Sequence, residues 1–299
     1  MTSVITVPPS LDDQTFEQVV DQLAAVPRDA KLIVDARHTR WASPYGLTAL
    51  LTLGQTLPER ATFVVPDAED TASYWARTHF FRHAEEIFDL SGSVPKARTT
   101  GDSGVMLEIT PVVSRDDVHS VVGRIQQKSQ QILQHELHID ARASVGFAMT
   151  LSEICQNIVE HAGRGGWVAV QAYTYRQRAP YRRVAVISVC DAGLGFRQSL
   201  ESLPGRVRDD RWDDAAALEE AVVRGVSRFR DPGRGQGLKG VRKYIARWDG
   251  KLSVRSGTAR IAIVPSWDED VPLAEKLAPF PGSQVQVTIP ERVSGNPHR

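Results

Sequence analysis

The chain of 299 residues contains only two cysteines, Cys155 and Cys190, and their spacing is not that of a metal site. So few cysteines exclude a disulfide framework and favour a reducing compartment. No stretch reaches the roughly 18 apolar residues that a membrane helix needs. The first residues also lack a basic segment followed by an apolar run, which a signal peptide would have. We therefore expect a cytoplasmic protein that has no membrane partner.

An excess of charge of one sign is also lacking, because 36 Lys and Arg residues balance 36 Asp and Glu residues. A general nucleic-acid binder would carry a basic excess, so nucleic acid is not an expected partner. Apolar residues make up 41% of the chain and charged residues 24%, which is ordinary for a globular protein. The length is sufficient for about two domains.

Residues 1–92 alternate between strand and helix patterns, which predicts a small β/α layer domain. The predicted strands are 4–9, 31–36 and 61–67, and the predicted helices are 15–26, 43–57 and 70–88. A polar stretch rich in Gly, Ser and Thr follows at 93–104 and has the composition of a linker.

Residues 105–292 predict a second domain, which a tail at 293–299 follows. Its predicted helices are 114–137, 141–162, 215–227 and 237–250, and its predicted strands are 105–113, 167–175, 184–193, 251–257, 259–265 and 284–290. The segment 196–237 is charged and rich in loops, and 266–282 has the composition of an inserted loop.

One helix of this second domain carries an unusual polar stripe. In LSEICQNIVEHA (151–162), Glu153, Asn157 and His161 recur at every fourth position beside an apolar stripe. A core helix has no need of a carboxylate, an amide and an imidazole on successive turns. The pattern therefore indicates a binding or catalytic face.

Two glycine-rich segments follow that helix. The first, VCDAGLGF, places Asp191 at the end of an apolar strand, with Gly193 and Gly195 directly after it. The second, GRGQGLKGV, contains Gly233, Gly235, Gly237 and Leu238 and leads into a helix. Alternating glycines allow backbone N–H groups to approach phosphates, although each segment alone is also typical of a simple turn or flexible loop. The second segment has no Gly-Lys-Ser/Thr, as a P-loop would, and it does not follow a strand, as a Rossmann fingerprint should.

The order of these segments resembles the GHKL superfamily, the Bergerat-fold ATP-binding domain of gyrases, heat-shock chaperones, sensor histidine kinases and mismatch-repair proteins. The family's N box is similar to Glu153, Asn157 and His161, and its first glycine box to Asp191, Gly193 and Gly195. Its second glycine box is similar to Gly233, Gly235, Gly237 and Leu238, and its late Gly-Ser or Gly-Thr to Gly282 and Ser283. The resemblance implies an α/β sandwich in which helices cover one face of a mixed sheet.

The resemblance implies ATP and Mg²⁺ as ligands. Mg²⁺ prefers hard oxygen ligands, and the side chain of Asn157 offers one. Glu153, one turn away, is suited to orient or deprotonate an attacking water or hydroxyl. Asp191 would accept a hydrogen bond from the adenine amino group, and 233–237 would close over the phosphates as a lid. For His161 two interpretations stay open, a phosphate contact and an ordinary histidine at a helix end.

The first domain resembles STAS domains, the fold of anti-sigma-factor antagonists. The family's strand ends in an aspartate, as at Asp35, and its next helix opens with Gly-Leu, as at Gly46 and Leu47. The loop between them departs from the pattern, because Ser43 holds the acidic position and Pro44 the phosphoacceptor position. Because proline has no hydroxyl, Ser43, Thr39 or Thr48 would have to replace it as phosphoacceptor, and each of the three also suits a cap or loop. The alternative is an unrelated small α/β domain.

Together the two resemblances predict an ATP-binding regulatory protein of the anti-sigma-factor Ser/Thr kinase type, with kinase or slow ATPase activity. Its partner would be a regulatory protein of the STAS or sigma-factor type, and a homodimer stays open. One alternative is an interaction module in which the nucleotide sets a conformation without phosphoryl transfer. Another is a histidine kinase that acts on a separate partner. HELHID (135–140) is no phosphoacceptor box, since about 18 residues before Glu153 leave no room for a dimerisation hairpin.

Overall fold

The computed structural model describes residues 1–27, 29–96, 104–113, 115–161, 165–175, 182–202, 212–226 and 237–291. Within these ranges, the side chains of 115–120, 150, 153, 156–161 and 237 are outside the description. Residues 1–96 are called the N-terminal half below, and residues 104–291 the C-terminal half.

The N-terminal half is built on a four-stranded parallel sheet with the order β1-β3-β5-β6. Its elements are β1 Thr2–Thr6, β2 Ser10–Leu11, α1 Phe16–Ala24, β3 Lys31–Asp35, β4 Trp41–Ala42, α2 Pro44–Thr56, β5 Thr62–Val64, α3 Glu69–Arg77, α4 Phe80–Ile87 and β6 Asp89–Ser91. The predicted start of α2 is confirmed, since the Ser43 hydroxyl accepts a hydrogen bond of 3.1 Å from the Gly46 N–H and Pro44 occupies the first helical position.

The single helix predicted at 70–88 is wrong, because the chain breaks it into α3 and α4. His79 separates them with a left-handed backbone, at φ 65°. The break leaves the carbonyl of Thr78 free of helical bonding, and it accepts a hydrogen bond of 3.0 Å from the N–H of Ile109. It also brings the rings of Trp75 and Phe80 to 4.9 Å between centroids. The interruption thus serves tertiary contacts that local periodicity does not encode.

The C-terminal half contains a seven-stranded sheet with the order β12-β11-β10-β13-β9-β8-β7. Its elements are β7 Met106–Val112, α5 Arg115–His135, α6 Ala141–His161, β8 Gly166–Tyr175, β9 Arg182–Asp191, α7 Gly195–Glu201, α8 Asp214–Leu218, a π-helical turn Glu219–Val223, α9 Gly237–Trp248, β10 Lys251–Gly257, β11 Ala259–Ile263, β12 Leu273–Ala274 and β13 Phe280–Pro290. The expected mixed sheet is wrong, because every strand pair described is antiparallel. Between β7 and β8, the helix pair α5–α6 returns the chain to the end that it left, and the two strands can therefore pair in opposite directions.

One face of this sheet packs against α5, α6 and α9. Alternate residues of the strands form its apolar surface, as Val168, Val170 and Ala172 of β8 do. The helices contribute Ile125, Ile132, Phe147, Leu151, Ile154, Val241 and Ile245. This alternation places every second residue of each strand on the opposite face.

The helices of the C-terminal half thus cover one face of its sheet, as predicted, and the opposite face is covered by the N-terminal half. Trp167, Ala169, Cys190 and Phe280 share one apolar cluster with the core of the N-terminal half. Helix α2 lies at the centre of this contact, and its residues from Pro44 to Gly54 are all buried. The helix therefore packs against both sheets of the protein.

Polar contacts cross the same interface. The hydroxyls of Thr48 and Ser188 lie 2.6 Å apart, and the hydroxyl of Tyr74 donates a 2.5 Å hydrogen bond to Gln171. The ammonium of Lys251 lies 3.4 Å from a carboxylate oxygen of Asp13, in an ion pair that lacks hydrogen-bond geometry. The two halves thus form one buried, specifically paired interface.

In the part of the chain that the structure describes, no helix is both long and apolar enough to cross a membrane. Cys155 and Cys190 are buried free thiols. Burial raises the pKa of each thiol to about 12. Both are therefore protonated near neutral pH, as structural rather than reactive cysteines are.

Candidate functional site

Helix α6 carries the polar residues of the first motif. Glu153, Asn157 and His161 lie on successive turns of its second half, and His161 is its last residue. Their side chains lie outside the described residues. The buried residues Phe147, Leu151 and Ile154 hold the helix against the sheet.

Asp191 is the last residue of β9 and the centre of the described site. It follows Ala185, Ile187 and Val189 on the face of the sheet that α6 covers, and only 6% of its surface is exposed. The N–H of Gly193 donates to Oδ1 at 2.8 Å, and the hydroxyl of Ser283 donates to Oδ2 at 2.6 Å. The carboxylate is therefore held in one orientation by donors on both oxygens, and each oxygen keeps a further lone pair.

Three polar residues form a row across neighbouring strands at this end of the sheet. The register pairs Asp191 of β9 with Ser283 of β13, and Ser283 with Ser256 of β10. The two serines continue apolar stripes on this face, because Val254 lies two residues before Ser256 and Val285 two residues after Ser283. The row thus replaces apolar side chains with polar ones where three strands end or begin.

Ser256 ties this row to the glycine-rich loop. Its hydroxyl donates a 2.8 Å hydrogen bond to the carbonyl of Gly282 and accepts one of 3.1 Å from the N–H of Phe196. Gly195 (φ +71°) lies against this serine, and a Cβ there would stand 2.6 Å from its hydroxyl. A Cβ on Gly282 (φ +76°) would stand 2.0 Å from the carbonyl oxygen of Asp191. Only glycine fits at these two positions.

Burial raises the pKa of the Asp191 carboxyl above its ordinary value, while the hydrogen bonds from Ser283 and Gly193 act in the opposite direction. The carboxylate is thus a desolvated acceptor whose charged form depends on donors. An amino group that donates to it would favour the charged form further. A carbonyl oxygen in the same place would face a carboxylate with no proton to share.

The second glycine box lies only in part within the described residues. Gly233 and Gly235 are outside the described ranges. Gly237 is the first residue of α9, and Leu238 packs partly buried against the core beneath that helix. The helix predicted after the glycines is therefore confirmed.

A cleft of about 460 Å³ opens beside the loop, between α7 and the turns around Gly257 and Pro281. Gly193, Gly195 and Gly282 form part of its wall, but the Asp191 side chain does not. Ser256, which belongs to the polar row with Asp191, also lines this cleft.

Two residues of this site are absent from the sequence prediction. One is Ser256. The other is Gln284, whose side-chain N–H₂ donates to the carbonyl oxygens of Asp191 at 3.1 Å and Pro281 at 2.9 Å. Ser256 follows Leu252 and Val254 at alternate positions of its strand. A polar residue that ends an apolar alternation is the signal that would have found it.

Comparison with known protein families matches residues 143–293 to the family of histidine kinase-, DNA gyrase B-, and HSP90-like ATPases. The match covers slightly more than half of the chain. A search of curated proteins found no match. The chain belongs to this ATPase family, as the order of its N box and glycine boxes predicted.

Proposed function

We propose that this member of the ATPase family binds Mg-ATP, with Asp191 as the residue that recognises adenine. The observation that carries the proposal is the buried Asp191 carboxylate, fixed by Ser283 and Gly193 and still able to accept a hydrogen bond. The adenine amino group is a donor and fits this acceptor. Guanine presents a carbonyl oxygen at the same position, so the site would select ATP over GTP.

The other site residues are assigned by their place in the family's motifs. We propose that Asn157 is a Mg²⁺ ligand and that Glu153 orients or deprotonates the attacking group. Bound Mg²⁺ would neutralise phosphate charge. Gly233, Gly235, Gly237 and Leu238 would belong to a lid over the phosphates, and His161 would contact a phosphate or cap its helix.

We further propose a regulatory role of the anti-sigma-factor kinase type, with the STAS-like N-terminal half as a protein-interaction unit. The hydroxyl residues near the family's phosphoacceptor position are buried, with Thr39 and Thr48 at 0% exposure and Ser43 at 2%. A kinase cannot reach them while the halves are packed together. Kinase activity would therefore act on a separate regulatory protein.

A second candidate function is an interaction module in which nucleotide sets a conformation and no phosphoryl transfer follows. The buried position of Ser43, together with Pro44 in place of a hydroxyl residue, favours it. The two buried free thiols are compatible with the reducing cytoplasm in which we place the protein. A homodimer stays a further proposal.

Calorimetric titration of Mg-ATP into the full chain, with Mg-GTP as the control ligand, tests the nucleotide site. We expect saturable binding of ATP alone, weakening by at least about tenfold in Asp191→Asn, in line with the loss of a hydrogen bond to a charged group. Asn157→Ala should make binding less dependent on Mg²⁺. A folded wild-type chain that binds neither nucleotide would contradict the proposal.

Turnover separates the two candidate functions. If the chain is a kinase or ATPase, Glu153→Ala should keep ATP binding and lose phosphate release. An acid-stable phosphoprotein would indicate Ser/Thr transfer, and an acid-labile one histidine transfer. Binding without turnover in the wild type, with and without partner proteins, would support the interaction module.

A further inference from the structure

Two consecutive residues of strand β10 make contacts on opposite faces of the sheet. Ser256 points to the row that contains Asp191, whereas Arg255 points into the interface with the N-terminal half. Neighbouring residues of a strand point to opposite faces of a sheet, so a single strand carries both contacts.

Arg255 is fully buried and uses its guanidinium on both halves. Its Nε donates to the two carboxylate oxygens of Glu17, on α1, at 2.9 and 3.2 Å. Its other nitrogens donate to the carbonyls of Ala278 at 2.7 Å and Gly257 at 3.2 Å. The guanidinium also lies 5.4 Å from the ring centroid of Phe280. Glu17 is the carboxylate that neutralises this buried cation.

The segment 278–282, which Arg255 holds, lies next to Asp191 and the glycine-rich loop that follows it. Phe280 packs edge-on against Phe16 of α1, with 5.4 Å between ring centroids. Two residues later, the Gly282 carbonyl accepts the Ser256 hydroxyl, and Ser283 donates to Asp191. Helix α1 therefore contacts both Phe280 and Arg255. Phe280 lies three residues before Ser283, which donates to the Asp191 carboxylate.

We propose that the N-terminal half is a built-in regulator of the nucleotide site, with Glu17 as a positioning residue that acts through Arg255. This inference rests on the proposed binding of Mg-ATP at Asp191. When α1 is docked, Arg255 is neutralised and holds 278–282, so that Ser283 keeps its hydrogen bond to Asp191. When α1 leaves, an unpaired arginine cannot stay buried and must release the Ala278 and Gly257 carbonyls.

The coupling is reciprocal by thermodynamic linkage. Whatever docking of α1 adds to the affinity for Mg-ATP, bound Mg-ATP adds to the docking of α1. A protein that binds the N-terminal half and displaces α1 would therefore lower the affinity for nucleotide without touching the ATP site. In this proposal the N-terminal half regulates nucleotide binding as well as supporting the sheet.

The test compares Glu17→Ala, Glu17→Gln and Tyr74→Phe in the full chain. Glu17→Ala removes the partner of Arg255, whereas Glu17→Gln keeps a neutral acceptor for it. Tyr74→Phe is the matched control, since it removes an interface hydrogen bond to Gln171 on β8, three strands from β10.

Two measurements are made on each chain: hydrogen exchange without nucleotide, and calorimetric titration with Mg-ATP. In Glu17→Ala we expect the amides of 193–196, and those of 278–283 other than the two prolines, to exchange about fivefold faster or more, and affinity to fall by a similar factor. Glu17→Gln should show a smaller effect of the same kind. Tyr74→Phe should leave both quantities within about twofold of the wild type.

The outcomes separate this inference from the nucleotide proposal. If the wild type binds no Mg-ATP, the nucleotide proposal fails, and exchange alone decides whether α1 positions the loop. Unchanged exchange in 193–196 and 278–283, in whichever of the two Glu17 variants is folded, would overturn the inference. Equal effects of the Glu17 variants and Tyr74→Phe would also overturn it, because they would indicate general loosening of the interface.

Discussion

The hydroxyl of Ser283 donates a 2.6 Å hydrogen bond to Oδ2 of Asp191, although 92 residues separate the two along the chain. The register of β9 and β13 places them side by side. The conformation of the glycine-rich loop after Asp191 therefore depends on a strand that is made last. The geometry of this loop is therefore set by strand pairing as well as by its own residues.

Removing the Ser283 hydroxyl should weaken the site and the fold together. In Ser283→Ala, a buried carboxylate oxygen loses its donor, so the pKa of Asp191 should rise further and stability should fall by about 1–3 kcal/mol. Urea unfolding at pH 7 measures the loss, and calorimetry measures the weaker binding of Mg-ATP. The control is Ser202→Ala, an exposed serine that donates to the Ser199 carbonyl, for which we expect less than about 0.5 kcal/mol.

A methyl group at Gly282 should damage the loop more than one elsewhere. Gly282→Ala would set a Cβ 2.0 Å from the Asp191 carbonyl oxygen, at a φ of +76°, so we expect a loss of about 2 kcal/mol or more. Gly123→Ala is the matched control, since nothing lies within 4 Å of its Cβ in α5. It should stabilise the protein by about 0.5–1 kcal/mol. Similar unfolding midpoints for the two variants would contradict this geometry.

Substitutions at two threonines one turn apart in α2 distinguish the contribution of an interface hydrogen bond from that of a hydrogen bond within the helix. Thr48→Val leaves the buried Ser188 hydroxyl without its 2.6 Å partner and should cost about 1–3 kcal/mol. Thr52→Val removes only a bond to the Thr48 carbonyl within the helix and should cost less. Adding Ser188→Ala to Thr48→Val should restore part of the loss. Urea unfolding decides, and equal losses in the two single variants would rule out a role for the cross-interface contact.

The interface should weaken in mild acid through His83. Burial lowers the pKa of this imidazole, whose Nε2 lies 3.0 Å from the Ile109 carbonyl oxygen. The unfolded chain therefore takes up its proton first, so the stability from neutral His83 is complete above about pH 6.5 and is lost as pH falls from there. The loss is at most about 1.4 kcal/mol per pH unit.

Urea unfolding at pH 7.5 and 5.5 measures this dependence as a difference between wild type and His83→Gln. The difference is needed because burial raises the pKa of Asp13, which has the opposite effect on stability. Arg82, Glu86 and His79 are the charged or titratable groups near His83. The exposed His135→Gln is the control. If His83→Gln keeps the full pH dependence of the wild type, His83 is not its origin.

The local pattern was sufficient for most elements of the C-terminal half. A nearly continuous apolar run predicted β9 with Asp191 at its end, and helical spacing predicted α6 with its polar stripe. These features depend on residues within a few positions of each other, which is the range that periodicity reports. The family match over 143–293 spans the same motifs.

Contacts between distant segments could not be predicted in the same way. Nothing local shows that the Thr78 carbonyl serves Ile109 and so divides the predicted helix at 70–88. The alternation in β8 shows that Trp167 and Ala169 share a face, but not that α2 covers it. The row of Asp191, Ser283 and Ser256 needs the strand order, which a single strand does not contain.

The burial of α2 between two sheets has a consequence for how the chain is made. On the ribosome, α2 emerges 140 residues before Ser188, its partner at Thr48. At a synthesis rate of about 5–20 residues per second, the face of α2 that packs on these strands stays uncovered for on the order of ten seconds. During that time the nascent chain exposes an apolar helix face, and a chaperone that shields it would raise the yield of folded protein. Synthesis rate and chaperone supply thus become determinants of how much folded protein a cell obtains.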